Sequence, residues 1–246
     1  MINLSLTEFF FSTLLFLFAY MITHTISGCL QSFTTYLLGD PTAREEGFLS
    51  LNPLVHFDPF GVFALLVFGI GWFQTVPIDP SSFRGRGAHA RLFAAYSAEA
   101  VISICLAIGA LFLCVCSFGF RLSDLLVFKI FTYRPLLSLF SSSGAHFNMA
   151  ALFSEYKSPI SIVTAFLLVS LVYLNIIIAT VSVIYNGFRY MLVIGAEKGY
   201  GYMEYADYVT FFGPIIVLFL FIDQLVVYFI GLTQSAAYYM ASVCGV

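Results

Sequence analysis

Residues 9–38 read FFFSTLLFLFAYMITHTISGCLQSFTTYLL, an unbroken stretch without a single Lys, Arg, Asp or Glu. A run of about 20 apolar residues suffices to cross a bilayer core of about 30 Å, so this stretch is a transmembrane helix and sets the fold class. At about 1.5 Å per residue the run would reach roughly 45 Å. It must therefore tilt, extend into the interface or break near Gly28. In its second half His24, Ser27, Gly28, Gln31, Thr34 and Thr35 recur at spacings of three and four, which gathers polar groups on one stripe that faces protein and not lipid.

The same solvent is read outward from that run. Residues 92–120, 160–185 and 208–231 are further spans, the first of these carrying Glu99 near its start and the last holding Pro214 and Asp223. Residues 60–73 are apolar but too short for a crossing and predict a re-entrant or interfacial element. Four full spans result, or five if that element crosses. Residues 121–157 mix apolar stretches with charge, Pro135 and a Ser141–Ser142–Ser143–Gly144 break, and predict surface helices or a second partly inserted element. Over 246 residues, 61% are hydrophobic and 9% charged, against about 25% charged in soluble domains. With a mean hydropathy of +0.97, a soluble globular enzyme is excluded. Ten Lys and Arg against thirteen Asp and Glu leave no basic surplus for nucleic acid. The expectation is an all-α polytopic membrane protein, residues 1–246 forming one membrane-embedded domain in contact with lipid.

Charge bias orients it. The polar connector of residues 39–91 and a loop over residues 189–198 carry six Lys and Arg, against four in residues 121–157, which places both termini outside the cytoplasm. The five cysteines, Cys29, Cys105, Cys114, Cys116 and Cys244, are odd in number, lie mostly inside apolar runs and read as small apolar side chains. Tyr238 and Tyr239 read as an interfacial anchor.

From Tyr36 the connector reads YLLGDPTAREEGFLSLNPLVHFDPFG, followed by GIGWFQTVPIDPSSFRGRG. Its Gly39-Asp40-Pro41-Thr42-Ala43 turn, the Asn52-Pro53 to His56-Phe57-Asp58-Pro59 segment, Gly61, Gly71-Trp72, Pro77, Pro80 and Phe83-Arg84 stand at fixed spacing. In these residues the chain resembles the site-2 protease family of intramembrane zinc metalloproteases, in its short bacterial branch without an inserted PDZ domain. The resemblance is strong over residues 36–91 and thin elsewhere. It implies a multi-pass protein of a bacterial inner membrane and a metalloendopeptidase ancestry.

The family's chemistry needs H-E-x-x-H on a membrane helix: two His one turn apart to hold zinc, and a Glu to deprotonate the bound water. The corresponding stretch here is His24-Thr25-Ile26-Ser27-Gly28. Thr25 replaces the general base, and a threonine hydroxyl does not take up a proton near neutral pH; Gly28 offers no ligand. The family's third ligand, an Asp before Gly, finds its best match in Asn186-Gly187, and its A-G-P-x-x-N segment appears as residues 95–100, AYSAEA. A catalytic zinc needs three protein ligands, so no metal site is expected and His24 is the surviving candidate. Zinc enters only through a compensating set drawn from His24, His56, Asp58 or Glu99, no pair of which has the spacing that fixes two ligands on one helical turn.

The expected function is that of a pseudoprotease, catalytically inactive, binding a transmembrane client or a partner subunit. An intramembrane zinc metalloprotease with a non-standard ligand set is the alternative. A small carrier or channel is third, motivated by the intramembrane acids Glu99 and Asp223. Glu99 is expected near the interface, two turns from Arg91, and the loop residues His56 and Asp58 are expected to be structural. Haem is set aside because His24, His56, His89 and His146 do not place two axial ligands in facing spans.

Overall fold

A computed structural model describes residues 6–69, 71–72, 74–131, 159–197 and 206–245. The protein is an all-α membrane protein, with no strand among the described residues. Its long helices are α1 (Leu6–Leu38), α4 (Ala88–Phe118), α6 (Pro159–Glu197) and α7 (Ala206–Cys244); shorter ones are α2 (Thr42–Glu45), α3 (Pro59–Phe68) and α5 (Phe120–Phe131). Among the described residues three stretches, Phe10–Leu38, Ala88–Phe118 and Ile160–Ala196, are long and apolar enough to cross a membrane.

The α1 helix runs unbroken through Gly28, because in lipid an opened turn would leave backbone groups without partners. It stops at Gly39. There a left-handed φ of 108° lets Gly39 N–H reach Tyr36 O at 3.1 Å and Asp40 N–H reach Thr35 O at 3.0 Å, a paired closure of the last turn that suits glycine. Arg91 at the start of α4 donates from Nη1 to Leu38 O at 3.1 Å, which puts a cation on the negative end of α1.

The α3 helix has ten residues, about 15 Å long and half a bilayer core, as expected of residues 60–73. Asp58 caps its first turn, accepting from Phe60 N at 2.8 Å and Gly61 N at 3.1 Å. Its far end is held by α6, where the buried Tyr173 hydroxyl donates to Gly69 O at 2.8 Å. Around this wedge Phe16, Tyr20, Leu65, Phe131 and Tyr173 form the centre of the main core, with the Phe131 and Tyr173 rings 4.9 Å apart, edge to face. In lipid such close packing, rather than expulsion of water, holds helices together.

Several sequence expectations are corrected here. The loop over residues 189–198 is not a loop up to Glu197, because α6 continues through Asn186-Gly187 and Arg189. An Asn-Gly pair breaks a helix only if something competes for its backbone, and here the flanking residues keep their packing: Arg189 lies over the Tyr96 ring at 5.3 Å and the Tyr185 ring at 5.7 Å. Of the surface helices or second partly inserted element expected over residues 121–157, the described part is α5, which buries Leu122, Leu126, Val127, Ile130 and Phe131 in the main core and leaves Leu125 and Phe128 exposed; residues 132–158 lie outside the described residues. The cysteines are not all inert, for Cys116 near the end of α4 is disulfide-bonded to Cys244 at the end of α7, with Cα atoms 5.6 Å apart. Asp223 lies on α7, and its side chain is outside the described residues.

Candidate functional site

The polar stripe of α1 is buried: Thr23, His24, Thr25, Ser27, Gln31, Ser32 and Thr35 are all closed off from the surface. Its hydroxyls are satisfied by bonding back along their own helix, a local option open to Ser and Thr where no water is at hand. Thr25 Oγ1 donates to Met21 O at 2.7 Å, Ser27 Oγ to Thr23 O at 2.9 Å and Ser32 Oγ to Gly28 O at 2.8 Å. Thr25, at the position of the resembling family's general base, therefore points its proton at its own backbone. His24 lies edge to face against the Tyr20 ring, centroids 4.0 Å apart.

Gly28 is where the connector meets α1. A Cβ built there would stand 2.5 Å from His56 Nδ1 and 2.8 Å from Cε1, so the absence of a side chain is what admits the His56 ring. That ring closes a 3-10 turn, Pro53–His56, started by Asn52, whose Oδ1 accepts from Leu54 N at 3.1 Å. His56 is 1% exposed, packs edge to face on Phe48 at 5.7 Å, and pairs through Nε2 with Ser50 O at 3.1 Å. Replacing Gly28 with alanine should push a pinned, buried ring and cost about 1–3 kcal/mol, the usual cost of overpacking. A lowered thermal midpoint in detergent checks this; an unchanged midpoint would contradict the contact.

Asn186 and His24 are not brought together. Asn186 Nδ2 donates to Ser182 Oγ at 2.9 Å and to Glu99 Oε2 at 3.3 Å, which ties α6 to α4. Glu99 is thus buried between helices, 8% exposed, and Arg91's guanidinium donates instead to Leu38 O and Arg84 O. The α6 residue that does reach the His24 segment is Asn175, donating from Nδ2 to Thr23 Oγ1 at 3.2 Å and to Leu171 O at 2.8 Å. Asn175 and Asn186 are eleven residues apart, about 16 Å along the helix. Asn175 was not among the residues singled out in the sequence; a lone amide in the apolar run of residues 171–179 was the available signal.

The connector is a set of caps around buried Asp40. Asp40 Oδ1 accepts from Thr42 N at 3.1 Å and Thr42 Oγ1 at 2.6 Å, and Oδ2 accepts from Asp79 N at 2.9 Å. Pro41 precedes α2, and Pro53, Pro59 and Pro80 each open a helical turn, where a missing N–H costs nothing. Trp72 and Pro77 are half-buried, and the Trp72 carbonyl accepts from Tyr20 Oη. Arg84 donates from Nε to Ser81 O at 3.0 Å. Asp79 in turn accepts from Ser81 N and Ser81 Oγ at 2.9 and 2.7 Å.

The hydrogen bond from the Ser81 hydroxyl, followed by that from its backbone, holds the Asp79 carboxyl below its ordinary range. A depressed folded-state value contributes stability above the unfolded value of about 3.9 and loses it as pH falls through the folded one. The thermal midpoints of wild type and Ser81→Ala should therefore differ at neutral pH and converge as pH falls below about 4. A gap that persists at lower pH would contradict the pairing.

A groove of about 490 Å³ opens between α4, α6 and α7, lined by Ile104, Ile108, Val172, Val183, Phe229 and Thr233 among others. Among the described residues no three His, Cys, Asp or Glu side chains come together as a metal cluster.

With this geometry established, known proteins can be set beside it. A Bacillus subtilis (strain 168) protein described as "Putative zinc metalloprotease YwhC" is 36% identical over 64 residues, which cover 26% of this chain and 29% of that protein. The relation to a site-2-protease-like protein is local. The matched stretch spans under a third of the relative's length. No family model matches the chain, and no solved structure matches it. The donor set that the resemblance would supply for zinc does not fit here: Gly28 has no donor atom, and the Asn186 amide is engaged with Ser182 and Glu99.

Proposed function

We propose that this chain is a non-catalytic, site-2-protease-like protein that crosses a bacterial inner membrane several times and binds a transmembrane client or a partner subunit. The observation that carries the reading is the commitment of the would-be catalytic groups to bonds inside the protein. Thr25 Oγ1 is spent on Met21 O, the Asn186 amide on Glu99 and Ser182, and the space beside Gly28 is filled by an imidazole from the connector. A general base must reach the water it activates, and neither Thr25 nor Asn186 is placed to do so. The turns of the connector are meanwhile held by Asp40, Asn52, Asp58 and Asp79, which supports a fold kept without the chemistry.

The second reading, a zinc metalloprotease with a non-standard ligand set, is favoured by the local identity to the Bacillus protein. Purified chain in proteoliposomes with supplied zinc and a panel of transmembrane substrates separates the two. No cleavage product is expected; a product that disappears in His24→Ala would overturn the pseudoprotease reading. Because the α1 stripe is buried, photo-crosslinkers belong at Ile108 and Val183 in the groove between α4, α6 and α7 and at exposed Phe33 on α1. A discrete adduct of one partner from native membranes is expected, and its absence at all three positions would sink the binding half of the proposal.

A further inference from the structure

The groove between α4, α6 and α7 runs toward a covalent link. Its lining reaches Leu111 on α4 and Met240 on α7. Cys116 lies five residues beyond the first and Cys244 four beyond the second, about 6–8 Å further along each helix. The two cysteines are disulfide-bonded, with Cα atoms 5.6 Å apart. Beside them the Phe120 and Tyr238 rings meet edge to face at 5.9 Å, and within two turns of Cys244 the buried Ala237 and Ala241 carry α7 into the main core. Nearer its start α7 turns Leu220, Phe221, Val227 and Tyr228 outward, each more than half exposed. The tightest hold of the bundle on α7 is therefore at the disulfide end.

Cys116 is exposed and Cys244 half-buried, and both stand at helix ends, where an attacking thiolate can reach them. Exposed disulfides are the exchangeable ones. The side of the membrane follows from two independent observations. A disulfide persists in an oxidising compartment, outside the cytoplasm. The charges agree: α4 runs from the connector to the disulfide, and Arg44, Arg84, Arg86 and Arg91 lie at its connector end with Arg189 of α6 beside Tyr96, whereas α5, which follows the disulfide end, carries Arg121 and Lys129. An excess of Lys and Arg marks the cytoplasmic side.

We propose that Cys116–Cys244 is an exchangeable redox bolt on the outer face of the membrane: oxidised, it pins the last turn of α7 to α4 and shuts one end of the groove, and reduced, it lets α7 move off α4. A protein dithiol of the outer compartment is the reductant. Its thiolate attacks one sulfur of the pair, the Cys116–Cys244 bond breaks as a mixed disulfide forms, and the second thiol of the dithiol resolves that intermediate. The pair takes up two electrons and two protons, and the dithiol leaves as a disulfide. Exchange with a protein disulfide in the opposite direction closes the bolt. Control of client entry by this bolt rests on the reading that the groove takes a client; the bolt itself does not.

The test begins with right-side-out membrane vesicles, treated with a charged phosphine reductant and then a charged maleimide, neither of which crosses the bilayer. Cys116 and Cys244 should be labelled only after the reductant. Labelling without reduction, or labelling that requires opened vesicles, would overturn the bolt. In detergent, hydrogen exchange of α7 from Val226 to Cys244 is followed with and without dithiothreitol. Reduction should speed exchange there at least about tenfold while the connector stays unchanged, and the Cys116→Ser/Cys244→Ser double variant should exchange at the reduced rate with or without dithiothreitol. Equal exchange in the two states of the wild type, a comparison that needs no variant to fold, would overturn the bolt. Adducts at Ile108 and Val183 should form in higher yield from the reduced protein. No adduct in either state counts against client binding alone, since labelling and exchange decide the bolt without a client.

Discussion

Gly61→Ala is expected to destabilise the protein by about 3 kcal/mol or more, at the upper end of what overpacking costs, and to lower its thermal midpoint in detergent accordingly. A Cβ at Gly61 would stand 1.7 Å from the carbonyl oxygen of Trp72 and 2.6 Å from its carbonyl carbon. The obstacle is backbone, which cannot rotate aside as a side-chain end can. The approach is reciprocal, since a Cβ at Gly71 would meet Gly61 O at 2.8 Å and the Leu65 and Tyr20 side chains at 2.9 Å. Forcing the Trp72 carbonyl away from α3 also withdraws the acceptor of the buried Tyr20 hydroxyl, so α1, α3 and the Gly71-Trp72 segment loosen together. Tyr20→Phe removes the hydrogen bond without adding volume and should cost only about 1 kcal/mol. If the two variants unfold at the same midpoint, the close approach at Gly61 is not what holds α3.

Asp40→Ala should be nearly as damaging, at about 3 kcal/mol, because three part-buried donors lose one fully buried acceptor group. Thr42 N, Thr42 Oγ1 and Asp79 N all end on its two oxygens, and Asp40 itself is fully buried. Each buried donor left unsatisfied costs about 1–3 kcal/mol, a large share of a stability of about 5–15 kcal/mol. Asp40→Asn keeps the shape and one acceptor but turns an NH₂ toward one set of donors, so an intermediate loss is expected. Limited proteolysis of the connector, read beside the thermal midpoint, checks the mechanism: the segment from Pro41 to Arg84 should become cleavable in Asp40→Ala before the helices unfold. A protease-resistant Asp40→Ala would show that the connector is held by other contacts.

How much of this was legible depended on the range of the physics involved. Residues 9–38, 92–120 and 160–185 declare themselves by composition, because lipid solvates every position of a helix and a charge-free run has few other uses. The half-length of residues 60–73 likewise gave α3, and the Asx and proline pattern of the connector marked its turns, since Asp58, Asn52 and Asp79 act on backbone groups two or three residues away. The loop expected over residues 189–198 is helix up to Glu197, because local polarity yields to packing where Tyr96 and Tyr185 hold Arg189 in place. The partners of Glu99 could not be read from its neighbours in the chain, since Asn186 and Ser182 come from another helix.

The sequence by itself determined that this is an all-α membrane protein and that its connector carries the Asx and proline turn chemistry seen at Asp40, Asn52, Asp58 and Asp79. These are properties of neighbours in the chain or of composition, and neither needs a fold to be read. Only the tertiary structure decided which distant residues meet. Nothing in the spacing of Gly28 and His56 puts them in contact; it is the missing side chain at Gly28, met by a ring delivered from the connector, that does so. The same holds for Asn175 at Thr23, Glu99 at Asn186 and Cys116 at Cys244. Each pairing joins segments that the chain separates by scores of residues, and a contact of that kind is set by how helices pack against one another, which periodicity along a single helix does not encode.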